Sequence, residues 1–205
     1  MKVSELVTCS DYPCIDVEKT QHIIPQIEIN PDTIQMVLIS EATPQNLSDY
    51  YYMGKESLFT KTTLQAFKEA GIHAESLEEL VQRGAYFTTA IKCGKTEYLV
   101  KSATLKNCSL LLEEELSLFP NLKVIMLMGD FAIKALNYIA KRQFGERVIP
   151  SGSTYKIRGK EYFFGDVRVF PSYLQAGKAY FIEQSKRQMI QEDLHNALKI
   201  LKWTS

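Results

Sequence analysis

The stretch KVIMLMGDFAIKALNYIAKR, Lys123 to Arg142, holds a strand and a helix joined without a linker. Its first part is an unbroken apolar run from Val124 to Met128, short and without the alternation of a strand that has one wet face. Such a run suits a strand covered on both sides, as in the middle of a parallel sheet. After Gly129 the remainder reads as a helix opened by Asp130.

The same reading extends outward. MVLIS (Met36 to Ser40) and AYFTTAI (Ala85 to Ile91) are two further unalternated runs. Phe59, Thr63, Ala66, Phe67 and Ala70 recur at helical spacing and stop at Gly71, a suitable residue just past a helix end. A Leu-rich helix from Leu110 to Leu118 ends at Phe119-Pro120, and Ile190, Leu194, Ala197, Leu198 and Leu201 mark one face of a C-terminal helix. TYKIRGKEYFF (Thr154 to Phe164) reads as a hairpin turning at Arg158-Gly159, and DVRVF (Asp166 to Phe170) as a last strand. Strands alternating with helices predict an α/β fold, a three-layer α/β/α sandwich around a mostly parallel central sheet. Ligands in such sheets bind outside the carboxyl ends of the strands, which puts the loops after Ser40, Thr89, Gly129 and Phe170 on one rim. No repeat or linker divides the chain, so residues 1–205 read as a single domain.

The composition is that of an ordinary globular protein, 45% hydrophobic and 23% charged. Lys+Arg and Asp+Glu are both 24, so a nucleic-acid site would have to be a local patch. No apolar run reaches the roughly 18 residues of a membrane span, and the N-terminus lacks the apolar stretch of a signal peptide. A cytoplasmic monomer with no membrane partner is expected. In that compartment Cys9, Cys14, Cys93 and Cys108 are free thiols or metal ligands rather than disulfides. They form two pairs, Cys-x4-Cys and Cys-x14-Cys. Four thiolates can hold an iron–sulfur cluster or zinc, and free cysteines also serve as small buried hydrophobes.

VLISEATPQNLSDYYYMG (Val37 to Gly54) runs from a buried strand into a carboxylate, a proline and three tyrosines. With it come SEATP (Ser40 to Pro44), TTAIKC (Thr88 to Cys93), CSLLLEEELSLFPNLKVIMLMG (Cys108 to Gly129) and VFPSYL (Val169 to Leu174). In order and interval these segments resemble the uracil-DNA glycosylase superfamily, closest to its iron–sulfur family 4 class, over nearly the whole chain. The resemblance implies a DNA-repair glycosylase that flips a damaged or deaminated base from single- or double-stranded DNA and hydrolyses its N-glycosidic bond. It implies a 4Fe–4S cluster on Cys14, Cys93 and Cys108, with Cys9 as fourth ligand at x4 where the family has x2; zinc, or no metal, is the alternative.

Glu41 would orient a water and stabilise the oxocarbenium-like cation at C1′. A carboxylate at that point can equally cap a helix N-terminus; register with the family motif favours the catalytic role. Ser40 and Ala42 would line the base pocket. One of Tyr50, Tyr51 or Tyr52 would supply a stacking face, worth roughly 1–3 kcal/mol per base. Leu174 would be the wedge between base steps, and Lys92 and Lys178 would contact phosphate, with Lys95, Lys101 and Lys106 nearby. His22, His73 and His195 fall at no pocket motif.

Two positions depart from the pattern. Thr89 stands where the family has the asparagine that reads the uracil edge, and Phe170 where it has the histidine that bonds the departing base. Loss of one such donor costs about 10²- to 10³-fold in rate. Either Ser172, Tyr173 or a backbone amide after Pro171 takes over, or the base differs, or the protein binds DNA without excision. A small-molecule α/β enzyme or redox protein using the cysteines directly is a third reading, and no Gly-rich phosphate loop supports it.

Overall fold

The computed structural model describes residues 1–10 and 12–204, with Ala179 as backbone alone. Six strands form one sheet: β1 (Val17–Glu18), β2 (Met36–Thr43), β3 (Ala85–Lys95), β4 (Val124–Met128), β5 (Tyr162–Phe164) and β6 (Val167–Ser172), in the spatial order β1-β3-β2-β4-β6-β5. The helices are α1 (Leu58–Glu69), α2 (Leu77–Gln82), α3 (Ser102–Ser117), α4 (Asp130–Phe144), α5 (Thr154–Ile157), α6 (Ala179–Ile182) and α7 (Gln184–Ile200).

The sheet is mixed rather than mostly parallel. β3, β2, β4 and β6 run parallel, while the edges β1 and β5 are antiparallel to their neighbours. The parallel interior follows from the three unbroken apolar runs, and β4 is buried at every residue. The edge β1 escaped prediction because it is two residues long, and β5 falls in the second arm of the expected hairpin but pairs with β6 instead.

Neighbouring residues of β3 meet different helices. Phe87 packs edge-on against Phe67 of α1, whereas the Tyr86 and Thr88 hydroxyls reach Glu115 of α3. α3 packs on α4, and α1 on α7.

Two local expectations are corrected. Thr154 to Phe164 is not a hairpin: Thr154–Ile157 is a helical turn, and the hairpin joins β5 to β6 through Gly165, whose φ is +58°. The apolar runs also underestimate the strands. β2 continues to Thr43, β3 to Lys95 and β6 to Ser172, so Ser40, Thr89 and Phe170 lie inside strands rather than at their ends. Pro171 is tolerated there, in a strand whose other neighbour is the three-residue edge β5.

Candidate functional site

All four cysteines line one cavity, with Tyr12, Val17, Lys19, His22 and Leu111 completing its wall. Cys93 comes from β3 and Cys108 from α3; the segment before β1 brings Cys9 and Cys14. The antiparallel pairing of Val17 with Lys95 and Glu18 with Gly94 clamps that segment against β3. Gly94 leaves room for Gln21, whose Oε1 would lie 1.6 Å from a Cβ there, so a side chain at this position would displace the glutamine. The cavity holds about 200 Å³, below the roughly 300–1,000 Å³ typical of organic-ligand pockets.

Burial pushes the Cys93 thiol up to about 12, helped by the charges of Cys108, Cys9 and Cys14. Burial likewise raises Cys108 to about 11, against the pull of the Lys92 amide and ammonium. These sulfurs therefore keep their protons until a cation arrives, and metal binding would release them. The donor set, four thiols facing a small hollow, fits an iron–sulfur cluster. Among the described residues no three His, Cys, Asp or Glu side chains gather closely enough to hold a single ion. Zinc at Zn–S bonds near 2.3 Å would need its four sulfurs within about 4 Å of one another.

His22 is the residue that motif reasoning missed at this cavity. Its Nε2 is buried with no hydrogen-bond partner, and burial, with the charge of Lys92, holds the imidazole below its ordinary range and so neutral.

Lys92 is not a phosphate contact. It is fully buried, its Nζ 2.5 Å from Glu115 Oε2 and donating to Thr88 Oγ1 and the Thr89 carbonyl, each at 2.7 Å. Its place next to Cys93, near the end of a strand, gave the opposite impression. The pairing carboxylate is seven residues beyond Cys108 on α3, and nothing local in the sequence links the two.

At the carboxyl-end rim a second hollow, of about 450 Å³, is lined by Glu41, Ala42, Thr43, Phe59, Lys95, Tyr98 and Leu174 among others. Glu41 Oε1 accepts from the Asp130 amide at 3.0 Å and the Phe131 amide at 3.5 Å, so the carboxylate caps α4. Gly129, at φ +109°, makes room: a Cβ there would be 2.7 Å from Glu41 Cγ. Tyr98 is 88% exposed at the mouth of this cleft, with Lys95 Nζ 5.7 Å from its ring centroid and 5.0 Å from that of Phe131. The signal for Tyr98 was an aromatic residue inside KTEYLVK, between two lysines just after Gly94.

Asp16 fixes the loop that carries Tyr98. Its carboxylate accepts from the Lys101 amide and the Thr104 hydroxyl, both at 2.5 Å, and its carbonyl from the Thr96 amide at 3.5 Å. Burial opposes ionisation of Asp16, but these hydrogen bonds and the Lys101 charge outweigh it and hold the carboxyl below its usual range.

Glu41, Thr89 and Phe170 do not share a hollow. Glu41 lines the rim cleft. Thr89 is fully buried with its hydroxyl unpartnered, and Phe170 lies under the Arg168 guanidinium, 4.3 Å away, beside a separate hollow bounded by Arg158 and Asp193. On the α1 side the space is filled by the chain itself. Tyr50 and Tyr51 are fully buried, their ring centroids 5.4 Å apart, so neither is an open stacking face. Tyr51 OH bonds Ser40 Oγ and accepts from Gln175 Nε2 at 3.0 Å. Tyr52, at φ +65°, hydrogen-bonds the backbone of Phe87. Ser172 is buried and donates to Asp193 Oδ2 at 2.6 Å. Leu174 is half-buried in the rim cleft, and Lys178 is exposed.

A further hollow of about 370 Å³ along α4, lined by Lys134, Lys141 and Arg147, carries no predicted site residue. Among the described residues no helix is long and apolar enough to cross a membrane. Comparison with protein-family models and with curated proteins finds no match for this chain.

Proposed function

We propose that this protein binds nucleic acid at the rim cleft, on a three-layer scaffold of the uracil-DNA glycosylase type. The observation that carries the reading is Tyr98: an 88% exposed ring with an ammonium beside it, at the mouth of a cleft of about 450 Å³. A base has a π-face for Tyr98 whatever its identity, Lys95 suits the adjoining phosphate, and Leu174 offers an apolar edge. Recognition is then of an unpaired or extruded base rather than of a sequence. Tyr50 and Tyr51 occupy the space beside Ser40 and Thr89, which argues against the family's own deep base pocket and favours binding without efficient excision.

Cys9, Cys14, Cys93 and Cys108 would hold a 4Fe–4S cluster, which supplies a cross-link between the N-terminal segment, β3 and α3. That link matters at the cleft, because Asp16, two residues after Cys14, anchors the loop bearing Tyr98.

A second reading, base excision, is favoured by one observation. Glu41 lines the same cleft, and with Oε1 engaged by the α4 amides its other oxygen can orient a water towards a sugar carbon.

Fluorescence anisotropy with single- and double-stranded oligonucleotides containing uracil, hypoxanthine or no lesion tests the binding. Affinity should fall with salt, and Tyr98→Ala should weaken it about 5- to 150-fold, the equivalent of roughly 1–3 kcal/mol. Affinity that is absent, or indifferent to Tyr98, refutes the proposal. Base release under single-turnover conditions, lost in Glu41→Gln, establishes the second reading.

A further inference from the structure

The cysteine cavity contains one anomaly that the four thiols do not explain. His22 Nε2 is shielded from water and has no partner, although a buried ring nitrogen ordinarily has one. The backbone sets the ring firmly in place. The His22 amide donates to the Lys19 carbonyl at 3.0 Å, and the next amide, of Ile23, donates to the Lys92 carbonyl at 2.8 Å, immediately before Cys93. Of the other polar side chains in the wall, Lys19 is exposed and Tyr12 half-buried, so each has access to water. Among the described residues of the wall, the buried polar atoms left to meet an imidazole N–H are the sulfurs of Cys93 and Cys108, with Cys14 half-buried beside them.

We propose that His22 is a positioning and tuning residue of the cysteine site, its Nε2–H donating a hydrogen bond to a sulfur of the bound group. The inference rests on the reading of the four cysteines as cluster ligands. Cysteine supplies every iron ligand in it, and His22 acts through a sulfur. A hydrogen bond to a cluster sulfur stabilises the more negative, reduced state and raises the reduction potential.

The test uses the full chain purified without oxygen, with iron and sulfide analysis, potentiometric titration and pulsed EPR of the reduced protein. Wild type and His22→Phe should carry the same iron and sulfide per chain. The variant should have a more negative potential and should lose a weak nitrogen modulation present in the wild type. His22→Gln, which retains an N–H donor, should recover part of the potential, and it guards against a folding defect in the phenylalanine variant. Equal potentials in wild type and His22→Phe, both with full iron, overturn the role of His22 and leave the cluster reading intact. Loss of iron in His22→Phe and His22→Gln with retention in Cys9→Ser would make His22 a ligand, and overturns the hydrogen-bond role. Wild-type protein without iron or sulfide overturns both readings.

Discussion

Two regions flank strand β3, and they use space in opposite ways. Beside Cys93 and Cys108 the chain leaves a hollow of about 200 Å³ walled by thiols and one unpartnered imidazole nitrogen. Beside Phe87 and Thr89, on the α1 side, Tyr50 and Tyr51 pack to zero exposure and Gln175 closes the gap between Tyr51 and Ser40. Both regions hold buried polar atoms, His22 Nε2 in one and the Tyr50 hydroxyl beside that of Thr89 in the other. Room therefore separates them, rather than polarity. The first leaves an open hollow between its thiols; the second is filled by its own side chains.

The most severe way to break that contrast is Tyr51→Ala. Truncating a large buried ring costs about 3–5 kcal/mol, and the Gln175 amide keeps only its longer bonds to Thr63 and Ser40. Urea denaturation should register a loss of at least that amount. The variant should also gain what the wild type lacks, a hollow that p-cresol fills. The ligand should raise the variant's melting temperature and leave the wild type's unchanged.

Next in size is the ion pair between the two regions. Lys92→Met leaves Glu115 buried beside Tyr86 and Thr88 with no cation, a change that costs about 3–5 kcal/mol. Lys92→Met combined with Glu115→Leu should recover most of the loss, because an apolar pair of similar size replaces a buried ion pair at little cost. If the double variant is as unstable as the single one, the site needs its charge for more than pairing. The Tyr86 and Thr88 hydroxyls, which lose their acceptor when Glu115 becomes leucine, would then be the place to look.

These residues also mark where sequence reading succeeds and where it stops. The apolar runs of β2, β3 and β4 are legible because burial on both faces removes alternation, and the cysteines are legible because their chemistry does not depend on which way a strand faces. Glu41 and Ser40 are adjacent in the sequence, yet strand alternation sends Glu41 to α4 and Ser40 to Tyr51. Phe170 is displaced for another reason: β6 runs on through Pro171 to Ser172, so the position paired with Met126 is mid-sheet. A motif gives order along the chain. The face and depth of each residue come from strand register, which the motif does not contain. His22 was illegible because it follows a three-residue 3-10 turn and a two-residue edge strand, where no periodicity can develop.

A smaller effect joins the two comparisons through pH. The hydrogen bonds of Asp16 to Thr104 and Lys101 hold its folded-state carboxyl below the ordinary value near 3.9. Its contribution to stability is therefore complete above that value and fades as pH falls through the lower, folded one. Denaturation measured at a series of pH values below about 4 should show a shallower loss of stability in Asp16→Asn than in wild type. An equal slope in both proteins would mean that Asp16 titrates alike folded and unfolded, and that the loop Thr96–Lys101 is held by something else.

The smallest effect on stability should be the largest on binding. Tyr98 has nearly all its surface in water, so Tyr98→Ala should change the unfolding free energy by no more than about 0.5 kcal/mol. Lys95, whose ammonium lies 5.7 Å from the ring, retains Phe131 as a second ring to lie over. Denaturation and anisotropy on the same preparation separate the possibilities. Unchanged stability with weakened oligonucleotide binding identifies Tyr98 as the contact face. A loss of 1 kcal/mol or more would mean that the ring packs on the fold in solution, and the rim cleft would then join the tyrosine-filled side of the comparison.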